Sequence, residues 1–178
     1  NKRTGIKYKD EPTILVWELA NEPRCQSDPS GETLQAWVEE MATFIKSIDG
    51  QHLVSTGGEG WYLEGAGFGH GAYNGQDFIR NNLARDIDVC SFHILKNDVG
   101  ATEADAYHWI KEHINDAHFN INKPVYCGEL GVRVYRNDAD AAQQMAARNR
   151  IYADWYGLFS ERVIDGGGFW LLSANSYL

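Results

Sequence analysis

Apolar positions along the chain fall into two kinds of run, and the two alternate. One kind is short and continuous; the other repeats at three- and four-residue steps. Ile14 to Trp17 with Leu19 form a continuous run that predicts a buried strand, halted at Asn21-Glu22-Pro23. Proline has no N–H to give to a ladder, so pairing stops there and Glu22 is expected at the strand's carboxyl end, aimed into a cleft. Leu34, Trp37, Val38, Met41, Phe44, Ile45 and Ile48 then recur with helical spacing. Asp28-Pro29 ahead of them reads as N-cap and first helical residue, and Gly50 as the stop. Gln51 to Thr56 and Ile87 to His93 read as strands, and Asp77 to Leu83 as one or two helical turns. Thr102 and Asp105 have the spacing of a capping box. It opens a helix whose apolar face is Ala106, Trp109, Ile110, His113, Ile114 and Ala117. Lys123 to Gly131 is a second short run ending in a carboxylate, Glu129. Asp138 to Ser160 predicts a long helix with Met145, Ile151, Tyr152, Trp155 and Phe159 turned inward, and Gly166 to Ser173 a last strand. Such alternation is the pattern of an α/β fold with a parallel sheet.

Open α/β sheets and barrels place their chemistry at the carboxyl ends of the strands. Two strand-terminal glutamates, Glu22 and Glu129, are the arrangement that glycosidic bond cleavage needs. One carboxyl must be protonated to assist the leaving oxygen; the other must be ionised to attack or to activate water. Gly57 to about Gly75 is a long loop rich in glycine and aromatics, a type that tends to be functional. Trp61, Tyr62, Phe68 and Tyr73 offer flat faces that suit the C–H side of a pyranose ring. Sugar contact is expected of Trp61, and a loop mini-core of Phe68 and Tyr73. Glu59 reads either as a hydrogen-bonding residue or as a solvated charge. His93 ends its strand, where a histidine is ordinarily hydrogen-bonded structure.

Composition narrows the partners. With 25 acidic and 16 basic residues the net charge is −9, which argues against nucleic acid, because phosphate contacts need clustered Lys and Arg. It suits a neutral polysaccharide. No apolar run approaches the roughly 20 residues of a membrane span. Of Cys25, Cys90 and Cys127, the last two sit in apolar runs and are expected to be buried thiols. No Cys or His spacing suggests a metal site.

WELANEPRC, GGEGWYL, the SFH stretch, PVYCGELG and GGGFWLLSA, in that order, resemble glycoside hydrolase family 5, and most closely its fungal and plant endo-β-mannanase branch. The likeness runs through nearly the whole chain. It implies a (β/α)8 barrel and a retaining mechanism without cofactor, with Glu22 as general acid/base and Glu129 as nucleophile. It further implies Asn21 on the sugar 2-hydroxyl, Arg24 on the leaving-group side, His93 lining the cleft and Trp170 as the floor, with a non-proline cis peptide just after it where the barrel around it is intact. Arg133 and Tyr135 are placed in a loop within substrate reach.

NEP marks the fourth barrel strand in this family, yet here it lies near residue 20. An ordinary barrel takes about 250 residues, so 1–178 is expected to be an incomplete catalytic domain. It would hold strands four to eight and lack strands one to three and the last helix, as a truncated product or fragment. Two departures stand out. Relatives have a tyrosine where this chain has Leu95, so ionised Glu129 loses one donor. Asp28 stands where secreted relatives often have a disulfide-forming cysteine. The resemblance implies β-mannan as partner, a monomer when complete, and secretion. Cellulase-type glycanase activity, a non-catalytic carbohydrate-binding remnant, a fragment unable to fold alone and a genuine small α/β domain are the alternatives.

Overall fold

The computed structural model describes residues 2–63, 71–95, 102–133, 140–162 and 164–171. Phe68 and Tyr135, named above, lie outside them. Five strands alternate with helices: β1 (Val16–Glu18), α1 (Glu32–Ile48), β2 (Leu53–Ser55), α2 (Gly71–Asn74), α3 (Phe78–Asn82), β3 (Cys90–Leu95), α4 (Glu103–Asn115), β4 (Val125–Gly131), α5 (Ala141–Arg162) and β5 (Gly166–Phe169). A π-helical extension, Asp116–Ile121, continues α4.

All ladders are parallel. β1 pairs with β2, and β3, β4 and β5 form a second sheet in that order. Backbone bonds from Asp88 and Val89 to the Val54 carbonyl join the two across the β2–β3 boundary. Because parallel neighbours need a helical crossover, every strand points its carboxyl end to the same rim.

Two packed regions support this rim. The larger gathers Phe92, Ile94, Trp109, Ile110, Val125, Leu130, Trp155 and Phe159 between the three-stranded sheet and α4 and α5. The smaller joins Leu34, Val38 and Ala42 of α1 to Val54, Ala84 and Ile87. Every residue expected on the apolar face of the helix after Thr102 is buried, and the capping box closes in both directions. Cys90 and Cys127 are buried free thiols.

Several expectations need correction. The helix expected at Asp28-Pro29 begins at Glu32, with Gly31 at its N-cap in the left-handed region. Asp28 still serves the helix, but across a turn: its carboxylate accepts from Thr33 N at 2.8 Å and Thr33 Oγ1 at 2.7 Å. At the far end Asp49, not Gly50, makes the closing backbone bond, to Ile45. Phe44, Ile48 and Met145 are exposed rather than inward. The run at Ile14–Trp17 is a strand but only partly buried, and Leu15 is 73 % exposed. β1 is an edge among the described residues, pairing on one side only, so one flank has no sheet neighbour to cover it.

His113 is enclosed by Phe78, Phe92, Trp109 and Tyr62. Its two ring nitrogens lie 2.7 Å from the carbonyl oxygens of Trp109 and Gly60. Burial outweighs those bonds and pushes the imidazole down to about 4. A group that titrates near 6.5 unfolded and about 4 folded binds fewer protons when folded. It contributes stability above pH 6.5 that is lost as pH falls toward 4, on the order of 3 kcal/mol. Urea melts at pH 7 and pH 4.5 should show a larger loss for the wild type than for His113→Leu; equal losses would contradict this account.

Candidate active site

The parallel frame brings Glu22 and Glu129 to one rim from different sheets. On the first side, pairing continues past β1: Leu19 N donates to Ser55 O and Glu22 N donates to Gly57 O at 2.8 Å. Glu22 then adopts φ 51°, a left-handed backbone that is uncommon outside glycine and tends to cluster at functional sites. Gly57 makes this crossing possible, since a Cβ there would lie 2.0 Å from the Ala20 carbonyl oxygen. On the second side, His93 of β3 stands opposite Glu129 of β4, just past a register shift at Phe92/His93. Gly128 leaves room for the imidazole, as a Cβ there would meet His93 Nε2 at 3.0 Å.

His93 sits between the carboxylates. Its Nδ1 is 3.0 Å from Glu22 Oε1 and 3.9 Å from Glu129 Oε2. One atom from each of the three residues lies within 4.8 Å of the others. The histidine is almost fully buried and fixed from behind: its N–H donates to Glu59 O and its carbonyl accepts from Trp109 Nε1, both at 2.9 Å. The same three atoms have a spacing that could hold a cation, but Arg24 already supplies positive charge at Glu22, with Nη2 3.1 Å from Glu22 Oε2.

Arg24 grips Glu59 with two bonds, Nε to Oε2 at 2.8 Å and Nη2 to Oε1 at 2.6 Å. Glu59 also accepts from Gln76 Nε2 at 2.9 Å, and that nitrogen reaches Pro23 O at 3.0 Å. Glu59 is thus a hydrogen-bonding residue rather than a solvated charge. Gln76 was not singled out from the sequence, where nothing signals it. Asn21 is exposed beside Glu22.

Trp170 is 53 % exposed at the end of β5, its N–H donating to Leu130 O, and the Trp170–Leu171 peptide is cis, as the resemblance implied. Trp61 is a correction. It is only 6 % exposed, packed edge-on against Trp109 with centroids 4.9 Å apart. In this arrangement its ring belongs to the core and leaves almost no surface for a sugar. Tyr73, expected in a loop mini-core, is largely exposed. Arg133 is also exposed.

Burial is the leading effect on Glu129 and holds its carboxyl above the usual range. His93 opposes this, while Glu22, Glu18 and Glu59 add to it. Leu95 lies two residues beyond His93 on β3. It pairs with Gly131, against which its methyl packs, and offers no donor.

The fold and rim are those of part of a (β/α)8 barrel. The chain belongs to the family of glycoside hydrolase family 5 beta-mannosidase-like proteins, whose model matches residues 1–174. It is 40 % identical over 183 residues to a putative mannan endo-1,4-beta-mannosidase 9 of Oryza sativa subsp. japonica, covering 98 % of this chain and 45 % of that protein. It is 41 % identical over 165 residues to mannan endo-1,4-beta-mannosidase 2 of Arabidopsis thaliana, covering 85 % of this chain and 37 % of that protein. The endo-1,4-beta-D-mannanase of Thermotoga petrophila RKU-1, solved with maltose and glycerol, superposes with a TM-score of 0.82 at 35 % identity, over 99 % of this chain and 51 % of that one. The endo-1,4-beta-mannanase of Rhizomucor miehei gives 0.81 at 31 % identity, over 97 % and 49 %. The chain spans about half the length of the curated relatives it matches.

The Leu95→Tyr variant would place a hydroxyl donor near Glu129. A donor to the charged form favours ionisation, so a carbon-13 carboxyl titration of Glu129 should move to lower pH. An unchanged or higher midpoint would show that Leu95 has no part in setting it.

Proposed function

We propose that the protein hydrolyses internal β-1,4-mannosidic bonds of mannan or glucomannan with retention of configuration. The observation that carries this reading is the pair of carboxylates from separate strands, with oxygens within 4.8 Å of one another beside His93. Retaining pairs stand about 5–5.5 Å apart, whereas inverting pairs leave about 6.5–9.5 Å for a water.

In this reading Glu22 donates its proton to the leaving glycosidic oxygen while Glu129 attacks the anomeric carbon and forms a glycosyl-enzyme. Glu22, now ionised, takes a proton from water as that water attacks the same carbon and releases the sugar. His93 bridges the two carboxylates, and its contact to Glu22 can be made with the proton on either side. Asn21 holds the 2-hydroxyl, Arg24 borders the leaving-group side, and Trp170 lies under the sugar being cleaved. Residues 1–178 belong in this reading to one catalytic domain, of which further strands form part in the whole protein. The complete enzyme is monomeric and acts outside the cell. A neutral polymer as substrate fits a net charge of −9 and a rim rich in carboxylates.

Leu95, which offers Glu129 no donor, favours a second reading, in which this polypeptide binds oligosaccharide without turning it over.

Reducing-sugar release should be measured on mannan and on carboxymethylcellulose. The wild type should act on mannan, and Glu22→Gln and Glu129→Gln should each lose about 10²–10⁴-fold in kcat. Proton NMR should show the β-anomer first. Release of the α-anomer first, or activity on cellulose alone, would overturn the proposal; mannooligosaccharide binding without turnover, unchanged in Glu129→Gln, would support the second reading.

A further inference from the structure

Beneath the carboxylate pair lies a second polar layer, made of one residue from each of four strands. Glu18 of β1 stands opposite Ser55 of β2, and Ser91 of β3 opposite Tyr126 of β4. Register partners in a parallel sheet face the same side, so each pair points together. The Tyr126 hydroxyl donates to Glu18 Oε1, with the Ser55 and Ser91 hydroxyls close by. Glu18 is exposed and Tyr126 half-buried, whereas inward-facing positions of a barrel are ordinarily filled by branched apolar side chains. A carboxylate bonded to a tyrosine there has some other use.

Position suggests that use. Glu18 belongs to the two-stranded sheet that leads to Glu22, four positions further on. Tyr126 belongs to the three-stranded sheet and precedes Glu129 by three positions. The backbone bonds joining the two sheets run between β2 and the approach to β3, and between Glu59 and His93; they link neither β1 nor β4. The Tyr126–Glu18 bond joins the two carboxylate-bearing strands directly. It lies one layer below the rim, where a small displacement would be carried into the gap between Glu22 and Glu129.

We propose that Glu18 and Tyr126 are positioning residues, a strut across the interior that sets the separation of Glu22 and Glu129. This rests on the retaining reading above for its catalytic consequence, though not for its geometry. Glu18 also acts through its charge: with burial, Glu22 and Glu59 it favours the protonated form of Glu129, against His93. Arg24, beside Glu22 and Glu59, is the nearby cation on that side of the rim.

Three variants separate strut from charge. Tyr126→Phe keeps the ring and removes the hydroxyl. Glu18→Gln keeps an oxygen for the hydroxyl and removes the charge. Glu18→Leu removes both. Each is compared with the wild type by mannan kinetics, by thermal melting and by a carbon-13 carboxyl titration of Glu129, assigned with Glu129→Gln. Tyr126→Phe should lower kcat by about 10- to 100-fold while KM stays within about twofold, since misplacement of reacting groups acts on the chemical step. Glu18→Gln should keep a higher kcat than Glu18→Leu, and should move the Glu129 titration to lower pH. A merely structural role would lower the melting temperature in all three and leave that titration in place. An unchanged kcat in Tyr126→Phe, equal losses in the two Glu18 variants, or an unmoved titration in Glu18→Gln would overturn the proposal. If the wild type releases no sugar that Glu129→Gln abolishes, it is the hydrolase reading that fails, and the titration in Glu18→Gln decides the present one alone.

Discussion

Parallel strand pairing is the constraint on which the rest depends. A parallel neighbour cannot be reached by a tight turn, so each strand must be followed by a crossover that returns the chain to the same starting level. The five strands among the described residues, treated this way, deliver their carboxyl ends to one rim. Glu22 and Glu129, more than a hundred positions apart, therefore share a neighbourhood for a reason that lies in the backbone. The β3–β4 register then puts His93 opposite Glu129, and one hydrogen bond from that histidine to Glu22 ties the two sheets at the rim.

The rim is a place where charge is concentrated and only partly compensated. Among the described residues Glu22, Glu59 and Glu129 meet Arg24 and His93 there, with Glu18 one layer below. Arg24 is committed to Glu59 by a two-bond fork and reaches Glu22 with the same guanidinium. Such bidentate pairing holds geometry as well as charge. On the opposite side, among the described residues, His93 is the basic group that acts on Glu129. Burial, with the neighbouring carboxylates, outweighs that histidine and holds the carboxyl above the ordinary range.

What could be read from the sequence was local. The two apolar runs that end in glutamate, the Thr102–Asp105 capping box and the buried face of α4 all follow from periodicity and side-chain reach over a few positions. What escaped was set by distant partners. Trp61 looked suited to a sugar, but its environment is fixed by Trp109 on a helix it could not foresee. Glu59 was ambiguous until Arg24 and Gln76 met it. The bond between Glu18 and Tyr126 spans 108 positions and leaves no periodic trace. Asp28 was recognised as a cap, yet its carboxylate can serve a helix from either side of a short turn, and the Gly31 backbone chose the farther one. The half-exposed Phe169 and Trp170, like Leu15, go with strands paired on one side among the described residues, which no pattern of residues within them announces.

The central claim is that one anomeric centre is served by both carboxylates, with Glu129 as the attacking group. A 2-deoxy-2-fluoro mannosyl fluoride, which slows release of a covalent intermediate, tests this directly through peptide mass spectrometry of the trapped protein. The sugar should be found on the peptide containing Glu129, and its attachment should vanish in Glu129→Gln. Attachment to a different carboxylate would contradict the account.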